Sequence, residues 1–76
     1  MEIEEVPVSE NSSVVGKTLG DSLIRRQEGV VILALKRSDG VMALNPPPDA
    51  VIQAGDCLIA IGESDKLKNL ENLAKR

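Results

Sequence analysis

The 76-residue sequence contains no phenylalanine, tyrosine, tryptophan or histidine, and only one cysteine. Without aromatic rings it has none of the stacking platforms on which single-stranded nucleic acids bind. Without histidine it lacks the usual general base and a common metal ligand. Cys57 alone makes neither an internal disulfide nor a thiolate cluster, and no histidine is present to activate it. We therefore interpret Cys57 as a structural residue, which fits a reducing compartment.

Positive charge is also scarce: nine Lys and Arg stand against twelve Asp and Glu, for a formal net charge of −3. Domains that bind duplex nucleic acid are normally basic on one face, so we expect no nucleic-acid partner. No apolar run approaches the ~18 residues of a membrane span. The chain begins with an acidic segment where a signal peptide is basic, so we expect no signal peptide.

The remaining composition predicts one small globular domain over residues 1–76. Hydrophobic residues make up 42% of the chain, and the core must be built from valine, isoleucine, leucine and alanine. Glu2, Glu4 and Glu5 form an acidic cluster near the start. Such a run is typical of a solvated surface, and a divalent cation held by carboxylate oxygens is the alternative.

Hydrophobic periodicity and turn residues predict an α+β fold: about four mostly antiparallel strands and two helices. Strands are predicted at 3–8, 30–37, 41–45, 49–53 and 57–62, the fourth of these being short. Helices are predicted at 17–28, capped by Thr18 and ended by Gly29, and from Ser64 onward. Asp39-Gly40 predicts a hairpin turn, and Ala54-Gly55-Asp56 a sharp turn. Three prolines from Pro46 predict an extended connector.

Strands 30–37 and 57–62 are apolar on both faces, which requires cover on both. Two short helices cover one face of a four-stranded sheet and leave the other open. A second copy of the chain is the simplest cover, so we predict a homodimer formed across an apolar face. The alternative is that loop 9–16 and the proline connector fold over that face.

Two basic motifs bear on phosphate binding. Gly16-Lys17-Thr18 resembles the end of a phosphate-binding loop, but the first glycine of that motif is replaced by Asn11, so we interpret it as a turn. Arg25 and Arg26 are adjacent, and arginine binds phosphate through a planar, bidentate fork. They indicate either a solvated helix end or a site for a phosphate-bearing ligand.

Several segments in order resemble one family, the RCK C-terminal domain, also called TrkA-C. They are Val15-Gly16-Lys17-Thr18-Leu19, Ile24-Arg25, the apolar strand that ends in Lys36-Arg37, Asn45-Pro46, Pro48-Asp49, and Gly55-Asp56 before a strand that ends in Gly62. The resemblance extends over nearly the whole chain, from about residue 4 to residue 74. No single segment is specific, but their order is.

This resemblance implies a regulatory domain and not an enzyme. Such domains are cytoplasmic parts of potassium channels and uptake systems, held at the inner face of the membrane through a partner subunit. They usually pair as homodimers and follow a Rossmann-type nucleotide-binding domain, whose glycine motif is missing here. Some members bind cyclic di-AMP, and some bind divalent cations.

The resemblance also implies a ligand site. The positions that correspond to cyclic di-AMP contacts in relatives are Ile24, Arg25, Val31, Ile32 and Pro46. Val31 stands where binders typically have a polar asparagine. The alternatives are a structural dimerisation module without a ligand and a regulatory domain of another ion or solute transporter.

Overall fold

Four strands form a single antiparallel sheet in the computed structural model, which describes residues 1–22 and 29–75. They are β1 (Glu2–Pro7), β2 (Val30–Lys36), β3 (Met42–Leu44) and β4 (Cys57–Gly62), and their order in the sheet is β1-β4-β2-β3. One helix lies within the described residues, α1 (Ser64–Lys75), and it follows β4 directly. The predicted α+β class, the antiparallel sheet and the C-terminal helix are confirmed.

The core lies on one face of this sheet, beneath α1 and the loops that precede β2 and β4. In α1, Leu67, Leu70 and Ala74 repeat at helical spacing and are buried. The strands contribute side chains from alternate positions, as a pleated strand requires. The buried apolar cluster consists of Val6, Val8, Val14, Leu19, Ile32, Leu35, Ile52, Leu58, Ala60, Leu67, Leu70 and Ala74. We call this side of the sheet the covered face.

A β-bulge interrupts β2 and changes which of its residues share a face of the sheet. Ile32 pairs with Ala60 and Ala34 pairs with Ile59, so Leu33 is an extra residue in β2. Strict alternation places Ile32 and Ala34 on the same face. Because the bulge shifts the register by one residue, Ile32 and Leu35 share the covered face instead.

The predicted helix 17–28 is wrong in its described part, residues 17–22, which form turns and an isolated bridge. The amides of Leu19 and Gly20 donate to the carbonyls of Ala50 and Pro48, each at 2.9 Å. The Ile52 amide donates to the Lys17 carbonyl at 2.9 Å. Backbone amides and a carbonyl that would form hydrogen bonds within a helix are instead hydrogen-bonded to the 48–52 segment. Residues 23–28 lie outside the described residues.

The short strand predicted at 49–53 is reduced to one bridge, between Thr18 and Val51. The three preceding prolines provide no amide donors, so this segment cannot extend a regular ladder. The two predicted turns are confirmed. Gly40 donates to the Arg37 carbonyl at 2.9 Å in the β2–β3 hairpin, and Gly55 adopts a φ of 84° before β4.

Candidate functional site

The second face of the sheet, which we call the open face, carries apolar side chains, several of which are exposed. The register places alternate residues of all four strands on it. Ile3 is 63% exposed, Val31 60% and Leu44 75%. Its apolar residues are Ile3, Val31, Ala34, Met42, Leu44, Ile59 and Ile61. An exposed apolar surface of this extent marks an interaction site.

A groove of about 250 Å³ borders the open face where β2 begins and β3 ends. It is lined by Val30, Val31 and Ile32, together with Asn45, the residue that follows β3. An apolar floor with few polar groups is typical of a small-molecule site. The Asn45 amide donates to the Leu33 carbonyl at 2.8 Å, at the bulge of β2. The bulge therefore fixes the position of Asn45 beside the groove.

The predicted ligand residues are distributed unevenly around this groove. Val31 and Ile32 both line it. The side chain of Pro46 is buried within the chain, immediately after Asn45. Ile24 and Arg25 lie outside the described residues. The sequence analysis named Asn45 only within the family resemblance and gave it no ligand role; its φ of 47° lies in the left-handed region, where asparagine is enriched, and this preference does not indicate a ligand site.

A second groove, of about 390 Å³, lies between the end of β1 and α1. It is lined by Val6, Pro7, Val8, Ser9, Glu71 and Lys75. At its margin the side chains of Glu4 and Glu71 share a hydrogen bond, which raises the pKa of Glu4. Partial burial and repulsion from Glu71 and Glu2 raise that pKa further. Two carboxylates this close repel each other, so the contact carries a local electrostatic cost.

The carboxylates of the three acidic residues near the start of the chain do not form a single cluster. Strand alternation places Glu2 and Glu4 on the covered face of the sheet and Glu5 on the open face. Within residues 1–22 and 29–75, no group of three or more acidic, histidine or cysteine side chains is arranged to hold a metal ion.

Cys57 lies half-buried on the open face of β4. Burial raises the pKa of its thiol, and repulsion from Glu5 raises it further. Because the thiolate is the reactive form, a raised pKa favours the less reactive protonated thiol near neutral pH.

Arg37 is held in an internal ion pair and is not available to a ligand. Its Nη1 lies 2.5 Å from Oδ2 of Asp56 and donates to the Val51 carbonyl at 2.8 Å. The same Asp56 oxygen accepts the Gln53 amide at 2.8 Å. The pair therefore ties the end of β2 to the turn before β4.

No helix in the described ranges is both long enough and apolar enough to cross a bilayer. A probable potassium channel protein of Methanocaldococcus jannaschii is 33% identical over 76 residues, which is all of this chain but 22% of that channel. The chain therefore spans about a fifth of the length of this relative.

Two solved structures show the same fold over most of this chain. The RCK_C domain dimer of S. agalactiae BusR, in complex with c-di-AMP, superposes with a TM-score of 0.84 at 29% identity. That match covers 96% of this chain and 95% of the other. The RCK C domain of the potassium transport protein KtrA, in complex with c-di-AMP, gives a TM-score of 0.81 at 32% identity. It covers 93% of this chain and 80% of the other.

The family resemblance predicted from the ordered segments is confirmed by these matches. The family is a regulatory one and not a catalytic one. The TrkA-C domain family matches residues 3–75, and the chain belongs to it.

Proposed function

We propose that this chain is the ligand-sensing regulatory domain of a potassium transport system, and that it acts as a homodimer through its open face. The observation that carries the proposal is the open face itself, with its exposed Ile3, Val31 and Leu44. A second copy buries this surface, and two-fold pairing is the commonest closed arrangement. The matching RCK_C domain of BusR is a dimer, which supports this arrangement.

The ligand we propose is cyclic di-AMP, which is bound in two solved relatives. The groove beside the open face provides an apolar floor from Val31 and Ile32. Ile24, Arg25 and Pro46, named from the family resemblance, complete the proposed set of ligand residues. Two copies related by a two-fold axis present two arginines, which suits a symmetric ligand with two phosphates.

Such a ligand regulates transport only through its different affinities for two arrangements of the dimer. A ligand that binds between two copies changes their relative orientation. We infer that this reorientation is passed to a membrane subunit of a potassium channel or uptake system, as the relatives named for potassium transport suggest. A cytoplasmic location at the inner face of the membrane follows from that role.

The proposal is tested by calorimetry and thermal melts with cyclic di-AMP on wild type and Arg25→Ala. Losing a charge-assisted hydrogen bond costs about 1.5–3 kcal/mol, so we expect roughly tenfold to hundredfold weaker binding by Arg25→Ala. Arg26→Ala is the matched control, since it removes the neighbouring arginine that is not assigned to the site. We expect it to bind close to wild type.

The same measurements distinguish a ligand-sensing domain from a purely structural dimerisation module. A ligand present at 100 times its dissociation constant adds about 2.7 kcal/mol to the stability of the folded state. Wild-type protein that gives neither heat nor a melting shift at millimolar cyclic di-AMP contradicts ligand sensing by this nucleotide. A dimer in that case supports a purely structural dimerisation module.

A further inference from the structure

The outer edge of β1 carries backbone groups that the sheet does not use. β1 stands at one end of the strand order and pairs with β4 on its inner side. The Val8 amide continues this pairing, since it donates to the Asp56 carbonyl at 2.9 Å. Because the backbone groups of an antiparallel strand point to alternate sides, those of Ile3 and Glu5 point away from β4. Within residues 1–22 and 29–75, no hydrogen bond reaches these outward groups.

This free edge ends at a defined point and adjoins the groove between β1 and α1. The Ser9 amide is already bonded, since it donates to the Ala74 carbonyl of α1 at 2.9 Å. The groove, of about 390 Å³, is lined by Val6, Pro7, Val8 and Ser9 of one segment and by Glu71 and Lys75 of α1. A strand added to β1 directs alternate side chains toward α1, so an apolar side chain enters the groove there.

The charges beside the groove favour a cationic strand. Glu4 and Glu71 share a hydrogen bond although both are acidic. The ion pairs of the described chain join Arg37 to Asp56 and the terminal amine to Glu63, so neither member of the Glu4–Glu71 contact has a basic partner within 4 Å. A Lys or Arg side chain placed opposite Glu4 supplies the missing positive charge.

The same charges oppose pairing of β1 with a second copy. Antiparallel registers centred on Ile3, Glu4 or Glu5 all set one glutamate opposite another. Like charges directly opposite in a sheet are destabilising, and charged residues with proline commonly protect an edge strand from self-association. This protection acts against an acidic copy of β1 and not against a basic strand.

We propose that the outer edge of β1 and the adjoining groove bind an extended cationic peptide segment of another protein, which adds to the sheet as an antiparallel strand. The segment carries an aliphatic side chain opposite Val6 and, two residues later, Lys or Arg opposite Glu4. The inference goes beyond the proposed function, because the outward backbone groups lie at the rim of the sheet and not on the open face.

The test is a fluorescence-polarisation titration with a labelled, end-capped peptide, Thr-Val-Thr-Arg-Thr-Arg-Thr, which sets its arginines opposite Glu4 and Glu2. The control peptide has glutamate in place of both arginines. We expect wild type to bind the arginine peptide at least roughly tenfold more tightly. Hydrogen exchange of the Ile3 and Glu5 amides should slow in the complex, because the added strand uses them.

Variants separate the backbone contact from the charge. Glu5→Pro removes an outward amide, which an edge strand tolerates, and Glu5→Gln removes the charge alone. We expect Glu5→Pro to bind the arginine peptide about two- to tenfold more weakly than Glu5→Gln. Glu4→Lys places a cation beside Glu71, so it should keep the fold and bind about two- to thirtyfold more weakly than wild type. Asp39→Lys makes the same change in the β2–β3 hairpin, toward the far edge of the sheet, and should bind like wild type. A thermal melt checks the fold of each variant.

The inference is overturned by equal affinity for the two peptides, by unchanged affinity in Glu4→Lys, or by unchanged exchange at Ile3 and Glu5 in the complex. Absence of binding of the arginine peptide overturns it as well. None of these results bears on the dimer or on cyclic di-AMP, since both are proposed at the open face and the groove beside it.

Discussion

Asp56 is the most deeply buried charged side chain in the described ranges, with 1% of its surface exposed, and one of its carboxylate oxygens joins two segments of the chain. That oxygen accepts from Arg37 at the end of β2 and from Gln53 in the turn before β4. A buried carboxylate is tolerated only when it is paired and hydrogen-bonded. The Arg37–Asp56 pair therefore fixes how β4 enters the sheet beside β2.

We expect Asp56→Ala to lower the free energy of unfolding by about 3 kcal/mol, as measured by urea denaturation. This is the low end of the range for breaking a buried ion pair, since the Arg37 side chain is 26% exposed and stays partly hydrated. Asp39→Ala, in the exposed hairpin turn, removes the same charge and one hydrogen bond to the Val41 amide. It should cost about 1 kcal/mol. Equal losses in the two variants contradict a special role for the buried pair.

Gly55 is required for its backbone conformation. Its φ of 84° lies in the left-handed region, and a Cβ at this position would lie 3.3 Å from Cβ of Ser38. We expect Gly55→Val to destabilise the chain by roughly 1–3 kcal/mol in thermal or urea melts. Gly55→Asn should lose less, because asparagine adopts this region more readily. An unchanged melting curve for Gly55→Val contradicts this account.

At the scale of elements, β1 and α1 meet at the Glu4–Glu71 contact, and this contact makes the stability of the fold depend on pH. The folded-state pKa of Glu4 is raised, first by its hydrogen bond with Glu71. The folded state therefore holds this proton more tightly than the unfolded state. The stability that this proton contributes is present at low pH and is lost as the pH rises through the titration range of Glu4.

We expect Glu4→Gln to raise the melting temperature at pH 7 and to have a smaller effect near pH 4, because it removes a carboxylate repulsion that exists only after ionisation. Glu5→Gln changes the same charge on the opposite face of β1. It should not reproduce this pH dependence. Thermal melts between pH 4 and 8 measure both variants. A destabilised Glu4→Gln at pH 7 contradicts the repulsion.

Elements whose structure depends on neighbouring residues could be predicted from the sequence. Elements whose structure depends on pairing with residues far along the chain could not. The apolar alternation of β4 and the helical stripe of α1 each fix a structure from neighbouring residues. Residues 17–22 have a capping threonine and helical spacing, but their amides bond to the 48–52 segment instead. The bulge at Leu33 is seen in the pairing of β2 with β4, and the sequence of β2 alone does not predict it.

At the scale of the whole molecule, the candidate site was predictable only as a set of positions. Val31 and Ile32 were named from the family resemblance, and both line the groove. Asn45 entered only through geometry, because β3 and the bulge of β2 bring it to the same groove. Spacing along the chain gave no sign of this proximity, since 13 positions separate Asn45 from Ile32.

The homodimer is the prediction that depends on the whole molecule. Val31 pairs in register with Ile61, which in turn pairs with Ile3, so these three residues form one apolar row across the open face. Because Val31 is 60% exposed in the single chain, a charge there is hydrated before assembly and buried after it. An unpaired buried charge is costly, so we expect Val31→Asp to weaken the dimer and leave the fold intact.

Light scattering at micromolar concentration should give twice the mass of one chain for wild type and the mass of one chain for Val31→Asp, with both cooperatively folded. Val41→Asp is the matched control. Val41 is 61% exposed and lies outside the strands, in the β2–β3 hairpin, so the same substitution there should leave the dimer intact. A soluble wild-type monomer contradicts the dimer itself. A Val31→Asp dimer as stable as wild type shows that the copies meet elsewhere, because an apolar interface centred on this row cannot accommodate two unpaired carboxylates without a loss of affinity.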